Sequence, residues 1–153
     1  MAAGDGPLTT IARDIAGANP DIHFLGFDNA VHGIYRLSDV ALVPTRFSGE
    51  SYPLCLIQAM QVGIPAIATD TGEISNMLRK NGHEAGLVIP YLAEDQAFIK
   101  ALVDAMSQML DEKLRKSLAK GASILGLGFD MDRLAGDYLS LYRDIIHQID
   151  NAA

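Results

Sequence analysis

Short apolar runs alternate along the chain with segments of helical periodicity. A continuous apolar run predicts a strand that is covered on both faces of a sheet. The predicted strands, in chain order, are Ile22–Phe27, Val40–Thr45, Ile64–Asp70 and Gly86–Pro90. Strands that alternate with helices predict an α/β fold, in which a Rossmann-like parallel sheet carries helices on both faces.

The segments between and after these strands predict the helices. Apolar residues recur near helical spacing in Asp28–Asp39, and an apolar helix is expected over Leu54–Val62, with Pro53 at its first position and Gly63 after its end. A short helix is expected over Glu73–Lys80. From Glu94 the chain is predicted to be helical, with apolar stripes at Leu102, Met106 and Met109 and at Leu134, Tyr138, Leu141, Tyr142 and Ile145. These last helices are expected to close the domain.

Composition and charge narrow the class of protein. A chain of 153 residues with no repeat and no linker is the size of one domain. The formal net charge of −7 argues against broad nucleic-acid binding, which needs a basic face. A single cysteine, Cys55, excludes an intramolecular disulfide and favours a reducing, cytoplasmic location. The four histidines have no acidic partner at metal-binding spacing, so no metal site is predicted.

The loops that follow the strands hold the candidate chemistry, because ligands of open parallel sheets bind beyond the carboxyl ends of the strands. Arg46–Tyr52 follows the second predicted strand and leads into a helix. The amino end of a helix offers unpaired N–H groups and a partial positive charge, which suit a phosphate. Glu50, just ahead of that helix, can accept hydrogen bonds from hydroxyl groups. A polyol joined to a phosphate is the ligand chemistry that this pattern favours.

Each of these residues also has a purely structural interpretation. An acid before a helix favours the helix dipole without binding anything. Gln58 is compatible with a half-exposed position on the helix, and Tyr52 and Cys55 with the core. The sequence contains neither a G-x-G-x-x-G motif nor a phosphate-loop lysine motif. The residues alone therefore leave both interpretations open.

Several segments together resemble a known family. The stretches "GDGPL", "DIHFLGF", "IYRLSDVALVPTRFSGESYPLCLIQAMQVGIPAIATDTGEI", "NGHEAGLVI" and "FDMDRLAGDYLSLYRDII" occur in this order. They resemble the C-terminal, donor-binding domain of retaining GT-B glycosyltransferases of family 4, the group 1 glycosyl transferases of polysaccharide and glycolipid synthesis. The resemblance covers essentially the whole chain. It implies that the complete protein moves a sugar from a nucleotide-diphosphate sugar to a glycan or a lipid-linked acceptor, with retention.

The resemblance also implies roles for individual residues. Glu50 matches the first of two glutamates separated by seven residues and would bind the hydroxyl groups of the donor sugar. Gln58 stands where the second glutamate would grip the ribose diol, so this position departs from the family pattern. The other implied donor-binding positions are Ser51, Tyr52 and Leu54, through their backbone, and Gly26 and Phe27, near the base. No cofactor and no metal are implied, because a basic pair and the helix terminus neutralise the diphosphate in this family.

Parts of the family pattern are not found in this sequence. An acceptor-binding N-terminal domain would precede the donor domain, and a strand, a helix and a second strand would precede "GDGP", carrying the basic pair. The resemblance therefore implies a donor domain over residues 1–153 that is truncated and inactive by itself, and whose full enzyme could associate with the inner face of the membrane. A non-catalytic nucleotide-binding module or a decayed fragment is the alternative, favoured by Gln58. A sugar-nucleotide epimerase is a third and weaker alternative.

Overall fold

Strands and helices alternate through most of the computed structural model, which describes residues 1–151. The strands are β1 (Ala2–Ala3), β2 (Phe24–Gly26), β3 (Ala41–Val43), β4 (Ala66–Thr69), β5 (Arg79–Lys80), β6 (His83–Glu84) and β7 (Gly86–Ile89). The helices are α1 (Thr9–Ala16), α2 (Val31–Arg36), α3 (Leu54–Gln61), α4 (Ile74–Leu78), α5 (Asp95–Gln108), α6 (Glu112–Gly126) and α7 (Met131–Asp150).

The strands form two parallel sheets and one hairpin. β3, β4 and β7 form the main sheet with β4 in the centre, and Ala66 pairs with Ala41 on one side and with Gly86 on the other. β1 and β2 form a separate parallel pair, and β5 and β6 an antiparallel hairpin. The predicted parallel sheet is confirmed, although strand hydrogen bonds join it only over β3, β4 and β7.

Helices pack on both faces of the main sheet, as predicted. Successive residues of a strand point to opposite faces, and β4 directs Ala66 and Ala68 to one core cluster and Ile67 to the other. The first cluster includes residues of α3, α4 and α6, namely Leu56, Ala59, Met60, Ile74, Met77, Leu78 and Ala122. The second includes residues of β7, α5 and α6, namely Ile89, Phe98, Ala105, Met109 and Leu118. α6 therefore contributes to both clusters.

The position of α3 is fixed by close packing against α6. A Cβ atom at Gly126 would overlap the backbone carbonyl of Met60, so the two helices approach at a distance that only glycine allows. The side-chain amide of Gln61 donates to the Phe129 carbonyl at 3.0 Å. Gly63 follows the helix with a φ of 77°, as the sequence predicted for its end. This packing holds the helix that follows the Glu50 loop.

The structure differs from the sequence prediction at several elements. The strands are shorter than the predicted runs, and the β5–β6 hairpin lies where part of a helix over Glu73–Lys80 was expected. Pro53 is the residue before α3 rather than its first residue, because its extended ψ of 119° lies outside the helix. α5 and α6 close the sheet, but every side chain of α7 from 131 to 149 is exposed, including the predicted apolar stripe.

Candidate functional site

The loop between β3 and α3 places Glu50 at the start of the site. A turn closes where the Glu50 N–H donates to the Phe47 carbonyl at 3.1 Å. Glu50 is half-buried, and within residues 1–151 its carboxylate has neither an ion pair nor a hydrogen bond. A partly buried carboxylate without a protein partner can accept hydrogen bonds from a ligand.

The loop after β4 meets the Glu50 loop. The Glu73 N–H donates to the Ser51 carbonyl at 3.2 Å. Gly72 has a φ of 55° and lies so close to Glu50 that a Cβ atom there would overlap the Glu50 carbonyl oxygen. The sequence did not single out Gly72 or Glu73 as site residues, although their position directly after a strand was the signal that could have found them.

The amino end of α3 adds backbone donors to the site. The Pro53 carbonyl accepts the N–H groups of Leu56 at 3.0 Å and Ile57 at 3.3 Å. The N–H groups of Leu54 and Cys55 precede these bonds, and no described backbone carbonyl accepts them. Among the described residues, no side chain caps this helix. N–H groups without a backbone acceptor and the positive end of a helix dipole can hold an anion.

Gln58 lies on the same face of α3 as the residues next to Glu50. Cys55 is exposed as a residue, so its interpretation as a core residue was wrong. Partial burial of its thiol still raises the thiol pKa, the nearby Glu50 carboxylate raises it further, and hydrogen bonds from the backbone N–H groups of Leu56 and Cys55 partly offset the rise. Because Gln58 follows Cys55 by three residues, both lie on one helix face, opposite the buried Leu56 and Met60. The Gln58 side chain is half-buried, and its amide makes no hydrogen bond to any side chain or backbone group between residues 1 and 151.

The side chains of Tyr52 and Leu54 are both exposed, so Tyr52 is not the core residue that the sequence was compatible with. The Tyr52 ring packs edge-on against Phe129, with ring centroids 6.3 Å apart, and Leu54 is exposed. Their expected contribution, through the backbone of the loop and the first helical turn, is compatible with this placement. Ser51 is exposed between Glu50 and Tyr52.

Arg46 anchors the other end of the loop. Its guanidinium donates to Asp95 Oδ1 at 2.7 Å and to the carbonyls of Leu92 and Ala93 at 3.2 and 2.8 Å. It also lies 5.0 Å from the centre of the Phe98 ring. These contacts tie the residue after β3 to the segment that begins α5, so the loop starts from a fixed point. No local pattern in the sequence predicts this role of Arg46, since its partners are more than forty residues away.

Gly26 and Phe27 lie in a different part of the fold. Gly26 ends β2 of the separate β1–β2 pair, Phe27 follows it, and the Gly26 carbonyl accepts the Gly4 N–H at 2.7 Å. Phe27 is 78% exposed. Glu50, Ser51 and Tyr52 thus lie in the loop after β3, and Leu54 and Gln58 in the helix that follows it, whereas Gly26 ends a strand of another sheet.

Across residues 1–151, no three His, Cys, Asp or Glu side chains are grouped so that they could hold a metal ion. No helix in this part of the chain combines the length and the apolar character needed to cross a bilayer.

Comparison with known proteins relates the sequence to one family. A family model described as glycosyl transferases group 1 matches residues 1–112. The lipopolysaccharide core biosynthesis mannosyltransferase LpsB of Rhizobium meliloti is 29% identical over 133 residues, which are 86% of this chain and 36% of the relative. The chain thus spans about a third of that relative's length.

Solved structures show the same fold. The pneumococcal O-GlcNAc transferase GtfA, in complex with UDP and GlcNAc, superposes with a TM-score of 0.79 at 20% identity, over 95% of this chain and 29% of that one. HepE of Anabaena, in complex with UDP, superposes with a TM-score of 0.74 at 16% identity, over 93% of this chain and 40% of the other. At these identities the likeness establishes the architecture, an α/β fold with a parallel sheet between helices.

Proposed function

The chain belongs to the group 1 glycosyl transferase family, and we propose that it forms the domain that binds the donor in a retaining, GT-B glycosyltransferase. The donor is a nucleotide-diphosphate sugar, and the acceptor is a glycan or a lipid-linked glycan. The two solved relatives described above were captured with UDP, which supports a nucleotide-sugar donor.

The observation that carries this proposal is the unpartnered, half-buried carboxylate of Glu50 beside the free N–H groups that begin α3. A carboxylate accepts hydrogen bonds from sugar hydroxyls, and the helix terminus attracts the diphosphate. Both parts of a nucleotide sugar therefore find suitable chemistry within one loop and the helical turn that follows it. The packing of α3 on α6 and the Arg46 contacts hold that loop in place before the ligand arrives.

In this proposal Glu50 binds and orients the donor sugar, and Ser51, Tyr52 and Leu54 contribute backbone contacts to the sugar and the diphosphate. Gln58 faces the ribose diol, and Gly26 and Phe27 lie toward the base. The donor diphosphate is held without a metal and the reaction uses no cofactor. Retention follows a front-face course, in which the departing phosphate and the donor site do most of the chemistry.

The proposal extends to the organisation of the complete protein. Residues 1–153 belong to one donor domain, and a preceding strand, helix and strand of that same domain carry the basic pair for the diphosphate. A second, N-terminal domain supplies the acceptor surface. By itself the domain transfers no sugar. Association of the full enzyme with the inner face of the membrane is part of the same proposal, since LpsB is named for lipopolysaccharide core synthesis.

Gln58 favours a second candidate, a nucleotide-binding module without catalytic activity. An amide offers one oxygen acceptor, whereas a carboxylate offers two charged ones. Weaker hydrogen bonding to the ribose is compatible with a domain that binds nucleotide sugars but no longer takes part in sugar transfer.

Calorimetric titration with UDP-glucose and UDP tests the proposal. Glu50→Gln is expected to weaken UDP-glucose binding by roughly tenfold, the loss of a charged hydrogen bond, and UDP binding by much less. Glu73→Gln is the matched control, because it removes an equal charge from the neighbouring loop, where Glu73 accepts from Asn76 at 2.8 Å. If Glu50→Gln affects both ligands equally, or Glu73→Gln has the same effect, Glu50 does not bind the sugar.

A further inference from the structure

The β5–β6 hairpin carries four ionisable side chains, two on each of its faces. Asn81 and Gly82 connect the strands, and both have positive φ, at 53° and 77°. Two such residues form the tight turn that suits a hairpin. Arg79 pairs with Glu84 and Lys80 with His83. Directly opposite residues point to the same side of a hairpin, so these two pairs lie on opposite faces.

The two faces differ in their charge balance. On one face the Arg79 guanidinium lies 3.3 Å from the Glu84 carboxylate. On the other face Lys80 and His83 are both basic, and within residues 1–151 neither has an ion pair or a side-chain hydrogen bond. Two basic groups directly opposite each other form no ion pair and do not stabilise the hairpin. An anion between them would stabilise this face.

A cavity lies against that second face. It has a volume of about 390 Å³, in the range typical of small-molecule sites, and Arg133 of α7 lines it together with Lys80 and His83. None of the lining residues is acidic, in a chain with a net charge of −7. Arg133 also forms no ion pair with any described residue. Two carboxylates close to these residues in the sequence are engaged elsewhere, Glu84 with Arg79 and Asp130 with the first N–H groups of α7. Asp132 and Asp137, which flank Arg133 in α7, do not line the cavity.

The other residues that line the cavity carry mostly apolar or amide side chains. Met77, Leu125 and Phe129 supply apolar surface, and Asn76 and Asn81 supply amides. Tyr52 lies at the boundary with the Glu50 loop, and it is the only residue that the cavity shares with the candidate donor-binding set. A ligand that fits this wall has an anionic group at one end and an apolar body at the other.

We propose that this cavity binds a small phosphomonoester that carries an apolar group. Arg133 holds the phosphate through paired N–H donors, and Lys80 and His83 contact it from the hairpin. The apolar body lies against Met77, Leu125 and Phe129. The phosphomonoester could be free in solution or be the headgroup of a lipid, and the two sources share the same contacts.

Phenyl phosphate is the probe for a free ligand, titrated into the whole chain in a phosphate-free buffer. Saturable binding tighter than about 1 mM is expected. The backbone amide signals of Asn81, Gly82 and Gly128 should shift in NMR spectra. Phenol, which lacks the anion, should leave them unchanged, and inorganic phosphate, which lacks the ring, should bind more weakly than phenyl phosphate.

Substitutions on the two faces of the hairpin provide the decisive comparison. Lys80→Gln and Arg133→Gln are each expected to weaken phenyl phosphate binding by roughly tenfold, as expected for one lost charged hydrogen bond. Arg79→Gln removes the same charge from the opposite face and should change the dissociation constant for phenyl phosphate by less than about twofold. Unchanged amide spectra elsewhere in the chain show that the variants keep their fold.

Vesicles of phosphatidylcholine with and without phosphatidic acid distinguish the two sources. Binding to phosphatidic acid vesicles that is lost in Lys80→Gln assigns a lipid headgroup, whereas binding of phenyl phosphate alone assigns a free ligand. The proposal is wrong if neither probe shows binding that depends on Lys80. It is also wrong if Arg79→Gln weakens binding as much as Lys80→Gln does.

Discussion

Gly72 lies directly against the backbone carbonyl of Glu50, although twenty-one residues separate them in the sequence. A Cβ atom at position 72 would overlap the Glu50 oxygen, and the φ of 55° at Gly72 is one that side chains rarely adopt. The Glu73 N–H adds a hydrogen bond to the Ser51 carbonyl. The loop after β4 therefore determines where the Glu50 backbone lies.

Gly72→Ala should displace the Glu50 loop. Overpacking costs roughly 1–3 kcal/mol, and a left-handed alanine adds about 1 kcal/mol, so we expect a loss of roughly 2–4 kcal/mol in the free energy of unfolding. UDP-glucose binding should weaken in parallel. Gly82→Ala is the matched control, because Gly82 has a φ of 77° but no atom within 4 Å of its Cβ position. Urea denaturation of both variants distinguishes the cost of atomic overlap from the cost of backbone strain. Equal losses in the free energy of unfolding would contradict this account.

The Glu50 carboxylate should slow the chemistry of the Cys55 thiol. Burial and then Glu50 raise the pKa of Cys55 above its ordinary value of 9.0, so less of the reactive thiolate is present at pH 8. Ellman's reagent should react with Cys55 more slowly than with free cysteine, and Glu50→Gln should raise the rate. Glu73→Gln should leave the rate unchanged. A rate that is insensitive to Glu50→Gln would mean that the two groups are further apart than the structure places them.

The same shift has a consequence for stability. A group whose pKa is raised by folding stabilises the fold below its ordinary pKa, and this contribution is lost as the pH rises through the folded value. Burial raises the pKa of the Cys55 thiol from its ordinary value of 9.0 and the pKa of the Tyr35 hydroxyl from 10.0. The melting temperature should therefore fall as the pH rises above about 9, and Cys55→Ala should reduce the early part of that fall. Circular dichroism at a series of pH values measures both.

Much of the architecture was predictable from the sequence because burial imposes a pattern. The apolar run that contains β4 is covered on both faces, and the position of Gly63 after α3 follows from its backbone freedom. The hairpin had a signal in the Asn81–Gly82 pair, but its strands are two polar residues each and show no apolar alternation. The stripe of α7 illustrates a different limit, since periodicity identifies an apolar face without showing what covers it.

The candidate site was predictable only where it is local. Glu50, the start of α3 and Gln58 are close in sequence, and the periodicity of α3 places Cys55 and Gln58 on one helix face. The contacts of Gly72 with Glu50 and of Arg46 with Asp95 join residues that are distant in the chain. Such contacts depend on how the loops meet after the sheet has formed, and no local pattern encodes them.

The free edge of β3 should make the chain self-associate. Within residues 1–151, β3 pairs with β4 alone, and the Ala41 N–H donates to the Pro65 carbonyl on that side. Leu42 is 46% exposed and lines a groove of about 580 Å³ together with Met1, which precedes β1. An unpaired strand beside an apolar groove promotes association.

Leu42→Lys should reduce that association, because a charge on an edge strand opposes pairing. Ile15→Lys is the control, since Ile15 is an exposed apolar residue of α1. Sedimentation velocity at several concentrations measures the effect. A parent chain that is monomeric and melts in one sharp transition would contradict the prediction, as would equal effects of the two substitutions.

Gln58→Glu should strengthen nucleotide binding. Gln58 is half-buried on the face of α3 that continues from Cys55, and its amide has no hydrogen-bond partner between residues 1 and 151. A hydrogen bond to a charged group contributes roughly 1.5–3 kcal/mol, against about 1 kcal/mol for a neutral one. Repulsion from the diphosphate offsets part of the difference, so we expect a gain of about 1 kcal/mol, or roughly fivefold in the dissociation constant. Titrations with UDP and GDP measure it.

Gln61→Glu is the matched control, because Gln61 lies on the same helix but donates to the Phe129 carbonyl at the α6 side. Gln58 does not contact the ribose if Gln58→Glu leaves both affinities unchanged while the fold is intact, and the residue is then only a polar position on the surface of α3.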